Sequence, residues 1–403
     1  MASGDRAHDI RQMARLAYWL AVAIVLVYLA QDYWLGGNPY KQGDWLINIE
    51  QAAVRRGLLG SAFIHLSDWL QLDLLLLVVL CQAALLLAFA GFLYRVIRSI
   101  DHQPLFWLLL LSPGFMLLFW ANDPQGSLRK ELFAYAAFAL LLVGMLERRR
   151  LPIAIATSVF ALGMLGHEAN GLLLPAFLWL LYRAHRSGSL TMRELSSAVL
   201  LLMAVAAVAA AFFVRHVSLT HAAPVCAPLL ARGFDPAFCD GAIAWVTRDL
   251  SYAIRVTAGN WSIDSWAYWT VYLWITAIAC WFASHYRQSR QLLLMYACTA
   301  LPFLPLFYVA LDWGRWMNFH LSSWIFLVLA EQLLGRLQQD KPCDDKRLWL
   351  VLVSILPLAP SHMTYLVMPR AVLWMAIACV LWVMTQAALA AIRRRMRATR
   401  MAA

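Results

Sequence analysis

Long uninterrupted apolar runs, divided by short charged stretches, restrict what this sequence can fold into more than any motif does. A helix needs roughly 20 apolar residues to cross the hydrocarbon core of a bilayer. Runs of that kind occupy 16–35, 72–95, 104–121, 132–147, 151–166, 170–183, 195–215, 267–284, 291–310, 317–335, 347–365 and 371–391. The runs at 151–166 and 170–183 are short, which suggests broken or tilted spans. In lipid every backbone polar group must be satisfied internally, so only helices or closed barrels can span. Apolar residues here are continuous instead of alternating, which favours helices over a barrel. The expectation is an all-α polytopic membrane bundle of about twelve transmembrane helices, forming one domain over 1–403.

Composition agrees. The chain is 63% hydrophobic and 14% charged, against roughly 45–50% and 25% in soluble domains. Its net charge of +11 would suggest nucleic acid in a soluble protein. Here topology explains the charge, and no nucleic-acid partner is expected. With the N-terminus in the cytoplasm, most of the 33 Lys and Arg fall on the cytoplasmic side, as the positive-inside rule requires. Both termini are then cytoplasmic. Arg6, Arg11 and Arg15 precede the run at 16–35 with no small-residue cleavage site after it, so it reads as a retained first span.

Two outer loops are long. Residues 36–71 have apolar positions at helical spacing and read as an amphipathic first loop lying at the membrane surface. The second loop, 216–266, mixes charge with Trp245, Trp261 and Trp266. Its Cys226 and Cys239 can form a disulfide in an oxidising compartment. Cys81, Cys280, Cys298 and Cys379 lie within apolar runs as small hydrophobes, and Cys343 lies in a charged loop.

Ionisable residues at membrane depth are expensive and by default mark a functional site. They gather on the non-cytoplasmic side. The first loop carries Lys41, Asp44, Glu50, Arg55 and Arg56, and arginine pairs fork onto phosphate oxygens. Asp123-Pro124 with Gly126 marks a turn, after which Arg129-Lys130-Glu131 opens the next span. His167-Glu168 follows Gly166 and suits acid/base work, a sugar hydroxyl or a divalent metal. Asp312 and Arg315 can pair on one helical face. Trp313 and Trp316 flank them, and His320 follows. His362 reads as structural. There is no phosphate-cradling glycine loop, zinc spacing or nucleophile elbow, which argues against a cytoplasmic nucleotide-driven reaction.

Asp44 before Arg55-Arg56-Gly57, Asp123-Pro with Arg129-Lys-Glu131, His167-Glu168 and Asp312-Trp-Gly-Arg315 together resemble bacterial membrane glycosyltransferases of the GT-C type and O-antigen (Wzy-type) polysaccharide polymerases. The resemblance implies a polyprenyl phosphate or diphosphate sugar donor and a glycan acceptor at the outer face of the bacterial cytoplasmic membrane. It implies Asp44 as the base; on their own acid/base chemistry, His167 and Glu168 join it in the catalytic set. Arg55, Arg56, Arg129, Lys130 and Arg315 would neutralise the leaving phosphate, and Glu50, Asp123, Glu131, Asp312 and His320 would bind substrate. No cofactor is expected, with a divalent metal left open.

A flippase for a lipid-linked glycan is the main alternative. It should place its charges near the midplane and often shows internal repeats, and neither is evident. An acyl- or phospho-group transferase would need a nucleophile that no motif supplies. An assembly subunit without chemistry leaves the outer charges unexplained.

Overall fold

The computed structural model describes residues 2–100, 104–112, 115–215, 219–261 and 263–340. The expected spans 347–365 and 371–391, with Cys343, His362 and Cys379, lie outside these residues.

Helix α1 (Ala2–Trp34) leads to a tight turn. The first loop carries α2 (Lys41–Trp45) and α3 (Gly57–Leu70), and α4 (Leu74–Ser99) follows. Then come α5 (Pro104–Leu110), α6 (Met116–Asn122), α7 (Glu131–Glu147) and α8 (Arg150–Gly166). A 3-10 segment, Glu168–Leu173, precedes α9 (Leu174–Arg186) and α10 (Met192–Arg215). The second loop holds α11 (Ala223–Leu230), 3-10 turns at Pro236–Asp240 and Ala244–Thr247, and α12 (Leu250–Gly259). The last described helices are α13 (Ile263–Ala283), α14 (Ser289–Ala300), α15 (Leu306–Val309) and α16 (Trp313–Leu333). Among the described residues there is no strand, only a single bridge between Tyr286 and Gln339.

Among the described residues, three stretches, Gln12–Trp34, Leu74–Ser99 and Met192–Phe212, are long and apolar enough to cross a membrane. In α10 only 11% of the most apolar stretch is buried although its mean hydropathy is 2.4. So large an exposed apolar face is unusual on a soluble monomer and suits contact with lipid.

Two expected spans are interrupted. The run 104–121 is divided between α5 and α6, where the sequence reads Ser112-Pro-Gly. The run 291–310 is divided between α14 and α15, around Pro302 and Pro305. Proline removes a donor and clashes with the preceding turn, so a strongly apolar run does not ensure one continuous helix. The run 170–183 begins as a 3-10 segment before becoming α9.

Helices α7 and α16 are the central pair, nearly every residue of both being buried. A helix apolar on all faces belongs inside. They run in the same direction, as Tyr135 Oη donates to Asn318 Oδ1 at 2.8 Å and Phe138 stacks on Phe326 at 4.8 Å. Helix α4 and α8 pack on α7, while α9 and α14 pack on α16. The first residues of α7 and α16 therefore share one end of the bundle, together with the end of α8 and the first loop.

Candidate functional site

Glu131 opens α7 and Arg315 lies in the first turn of α16. The Arg315 guanidinium meets both Glu131 oxygens at 3.1–3.2 Å and Asp312 Oδ2 at 2.6 Å. The turn before α7 is held from two sides. Trp45 Nε1 and Gln82 Nε2 both donate to the Leu128 carbonyl, at 2.9 and 2.8 Å. Leu128 has a φ of 54°, a left-handed conformation that side-chain-bearing residues rarely adopt. Strain of this kind tends to sit at functional sites, and here it delivers Arg129-Lys130-Glu131.

The first loop departs from the expected surface helix. All of α2 is buried. Its charges are accommodated inside because Lys41 pairs with Asp32 at the end of α1 and Gln42 bonds Gln82 at 2.8 Å. Only α3 keeps an exposed apolar face, through Leu66, Trp69 and Leu70. Burial of α2 carries Asp44 inward. Asp44 is 2% exposed, with Oδ1 4.0 Å from Arg56 Nη1. Its Oδ2 is buried without a hydrogen-bond partner. A carboxylate oxygen left bare inside a protein is costly and is the kind of acceptor a substrate hydroxyl would satisfy.

Arg56 also adopts a left-handed φ, 65°, and its carbonyl accepts from Lys130 Nζ at 2.8 Å. Among the described residues that is the single hydrogen-bond partner of a fully buried ammonium. Burial pushes Lys130 down to about 8, with Asp44 opposing the shift. Arg129 lies 3.8 Å from Asp312, and its buried Nε has no hydrogen-bond partner.

His167 ends α8 and caps the 3-10 segment, its Nδ1 accepting from the Ala169 amide at 2.9 Å. The ring hydrogen is therefore on Nε2, which is buried and unpartnered. Burial and then the charges of Arg56, Arg315, Lys130 and Arg129 hold His167 well below its ordinary value, so it is a neutral donor. Glu168 bonds Arg56 Nε at 2.6 Å, with Arg55 at 3.9 Å. Burial alone would raise its carboxyl, but Arg56 and Arg55 bring it below the usual value. Asn170 ties this corner to α7 and α8 by donating to the carbonyls of Lys130 and Gly163.

Asp44, Arg55, Arg56, Arg129, Lys130, Glu131, His167, Glu168, Asp312 and Arg315 thus form one continuous cluster. The N-terminal ends of α7 and α16, positive ends of helix dipoles, converge on it and favour an anion. Beside it an apolar groove of about 250 Å³ runs between α8 and α10, lined by Met164, Gly171, Ala206, Ala209 and Ala210 with Glu168 at its edge.

Three expected residues stand apart. Glu50 faces His65 at 3.3 Å because the loop turns outward after Asn48. Asp123 is buried and accepts from the amides of Gln125 and Gly126, shaping the turn. His320 is held by Tyr272 Oη and the Tyr296 carbonyl among the aromatic rings between α13, α14 and α16. The pairs Asp32–Lys41 and Gln42–Gln82, and the Trp45 clamp, are supports of the site that lie outside the expected set. A lone Gln82 within a long apolar run was the available signal.

The second loop covers the first. Asn48 Nδ2 donates to the Val225 carbonyl at 2.8 Å, and Arg232 pairs with Asp68 at 2.6 Å. The Phe238 ring packs against Gly37, where a Cβ would meet it at 2.8 Å; Gly37 also has a φ of 100°. Cys226 and Cys239 are disulfide-bonded, as the loop's two cysteines suggested. Among the described residues no group of three or more His, Cys, Asp or Glu could hold a metal ion.

No family model, curated protein or solved structure matches this chain.

Proposed function

We propose that the protein is a membrane glycosyltransferase or polysaccharide polymerase that uses a polyprenyl-(di)phosphate-linked sugar at the outer face of a bacterial cytoplasmic membrane. The observation that carries this reading is the bare Asp44 Oδ2, buried in a cationic cluster whose Glu168 borders an apolar groove. A lipid-linked sugar needs both halves of that arrangement: a polar pocket for phosphate and an apolar track for hydrocarbon. In this reading the chain's termini are cytoplasmic and the remaining apolar helices also cross the bilayer.

Asp44 takes the proton of an acceptor hydroxyl. The hydroxyl oxygen bonds to the anomeric carbon, and the anomeric carbon–oxygen bond to phosphate breaks, its electron pair leaving with the phosphate. The negative charge that develops falls to Arg129 and Lys130, whose side chains are least committed to carboxylates, and to the Nε2–H of neutral His167. Fixed donors of this kind act without reorganising as charge appears. Arg315, held between Glu131 and Asp312, orients the cluster. A lipid-glycan flippase would carry such charge near the midplane, whereas this cluster sits at the shared end of α7 and α16.

Glycan profiling of a deletion strain complemented with wild type or Arg129→Ala tests the proposal. Lipid-linked intermediates accumulating in the outer leaflet, with shortened or unbranched surface chains, are expected. Accumulation confined to the cytoplasmic leaflet would replace the transferase with a flippase. An unchanged profile would remove the carbohydrate assignment.

A further inference from the structure

Arg55 and Arg56 direct their guanidinium groups at one oxygen of one carboxylate. Arg56 Nη2 and Nε lie 2.5 and 2.6 Å from Glu168 Oε1, and Arg55 Nη1 lies 3.9 Å from the same atom. All three side chains are about a quarter exposed, at 23–27%. They therefore stand at the mouth of the cluster, while Asp44 and Lys130 lie inside. The recess between them, about 20 Å³ and bounded by Gly57, Met164 and Ala209, has room for roughly one water. It shares Met164, Glu168 and Ala209 with the larger apolar groove.

Phosphate and carboxylate oxygens offer a guanidinium the same charged acceptor. The place a phosphate oxygen would take on Arg55 and Arg56 is the place Glu168 occupies. The other arginines of the cluster are engaged in the same way, Arg129 at 3.8 Å and Arg315 at 2.6 Å from Asp312, with Arg315 also 3.1 Å from Glu131. An anion arriving at Arg55 and Arg56 must then exchange with a carboxylate instead of filling vacant positive charge. Glu168 is the carboxylate best placed for exchange. It starts a short 3-10 segment, is a quarter exposed, and among the described residues has the two arginines as its side-chain partners.

We propose that Glu168 is a latch on an anion subsite: its carboxylate stands in for a phosphate oxygen on Arg55 and Arg56 until a lipid phosphate arriving along the α8–α10 groove displaces it. This rests on the lipid-phosphate reading above and adds a selection rule. An anion without a hydrocarbon chain has no groove contact to offset the competition with Glu168, whereas a lipid phosphate does. Glu168 then serves selection, and the proton transfer belongs to Asp44.

The test is calorimetric titration of the purified full-length protein, in neutral detergent, with dodecyl phosphate and with inorganic phosphate. Glu168→Gln should bind dodecyl phosphate about tenfold more tightly than wild type, and Arg55→Ala about tenfold more weakly. Inorganic phosphate should bind measurably only to Glu168→Gln. If that variant does not fold, Glu168→Asp, one methylene shorter, should show the same direction. Dodecyl phosphate affinity equal to or weaker than wild type in the folded Glu168 variant overturns the latch. The expected shifts without any glycosyl transfer would reject the transferase reading and leave the latch standing. Asp44-dependent transfer with unshifted affinity would reject the latch alone.

Discussion

Arg315 of α16 and Glu131 of α7 meet in a forked ion pair at 3.1–3.2 Å, each side chain about 3% exposed. Breaking a buried pair from one side leaves an uncompensated charge and costs roughly 3–5 kcal/mol, whereas an apolar replacement of both partners can be near neutral. Glu131→Ala should therefore lower the unfolding temperature in detergent sharply. The double variant Glu131→Leu/Arg315→Met should recover most of the loss while remaining inactive. Equal destabilisation by the single and double variants would mean that the pair is not what holds α7 to α16.

Lys130 should oppose stability at neutral pH. Its ammonium is fully buried, bonded among the described residues to the Arg56 carbonyl alone, and burial pushes it down to about 8. The unfolded chain holds that proton up to about 10.4. Folding is thus penalised below pH 8, on the order of 3 kcal/mol, and the penalty fades as pH rises from 8 towards 10.4. Lys130→Met should melt above wild type at pH 7, with the gap narrowing by pH 10, and should lose activity. A variant less stable at pH 7 would show that the ammonium is compensated by partners other than that carbonyl.

Gln82 links α4 to the turn before α7, accepting from Gln42 and donating to the Leu128 carbonyl at 2.8 Å. Gln82→Leu leaves the Gln42 amide without its acceptor and should cost about 1–3 kcal/mol. Because Leu128 is held in a left-handed conformation, the variant should also impair activity despite lying outside the cluster. Thermal unfolding beside an activity assay checks both; full activity would show that Trp45 alone holds the turn.

The disulfide between Cys226 and Cys239, 13 residues apart, closes a loop whose crosslink is worth about 3 kcal/mol in the chain-entropy account. Peptide mapping after thiol labelling should find both cysteines protected until reduction. Cys226→Ser should loosen the second loop from Asn48 and Asp68. Labelling of either cysteine in untreated membranes would contradict a loop facing an oxidising compartment.

Much of this arrangement was readable from sequence because cost marks position. Arg129-Lys130-Glu131 entering an apolar run, and Asp312 three residues before Arg315, are too expensive to be incidental, and they do converge. Helix α2 was not readable. Lys41 and Asp44 look like the solvated face of a surface helix until Asp32, at the end of the preceding helix, neutralises Lys41 and Gln82 of α4 and the Leu128 carbonyl take up Gln42 and Trp45. Pairing across the fold has no local signature. Glu50 illustrates the reverse case: it shares a loop with Asp44, yet the chain turns after Asn48 and leaves it with His65. The breaks near Ser112-Pro-Gly and Pro302 are marked by prolines, but the apolar content around them is that of a continuous span.

If Asp44 takes the proton during sugar transfer, its loss should slow turnover itself. Lipid-linked material extracted from the deletion strain can be added to vesicles containing purified protein, and release of free polyprenyl phosphate followed over time. Wild type should release it in step with glycan growth. Folded, inserted Asp44→Asn should be slower by about 10²–10⁴-fold, the usual contribution of a general base. Release by Asp44→Asn at a rate close to wild type would contradict the account.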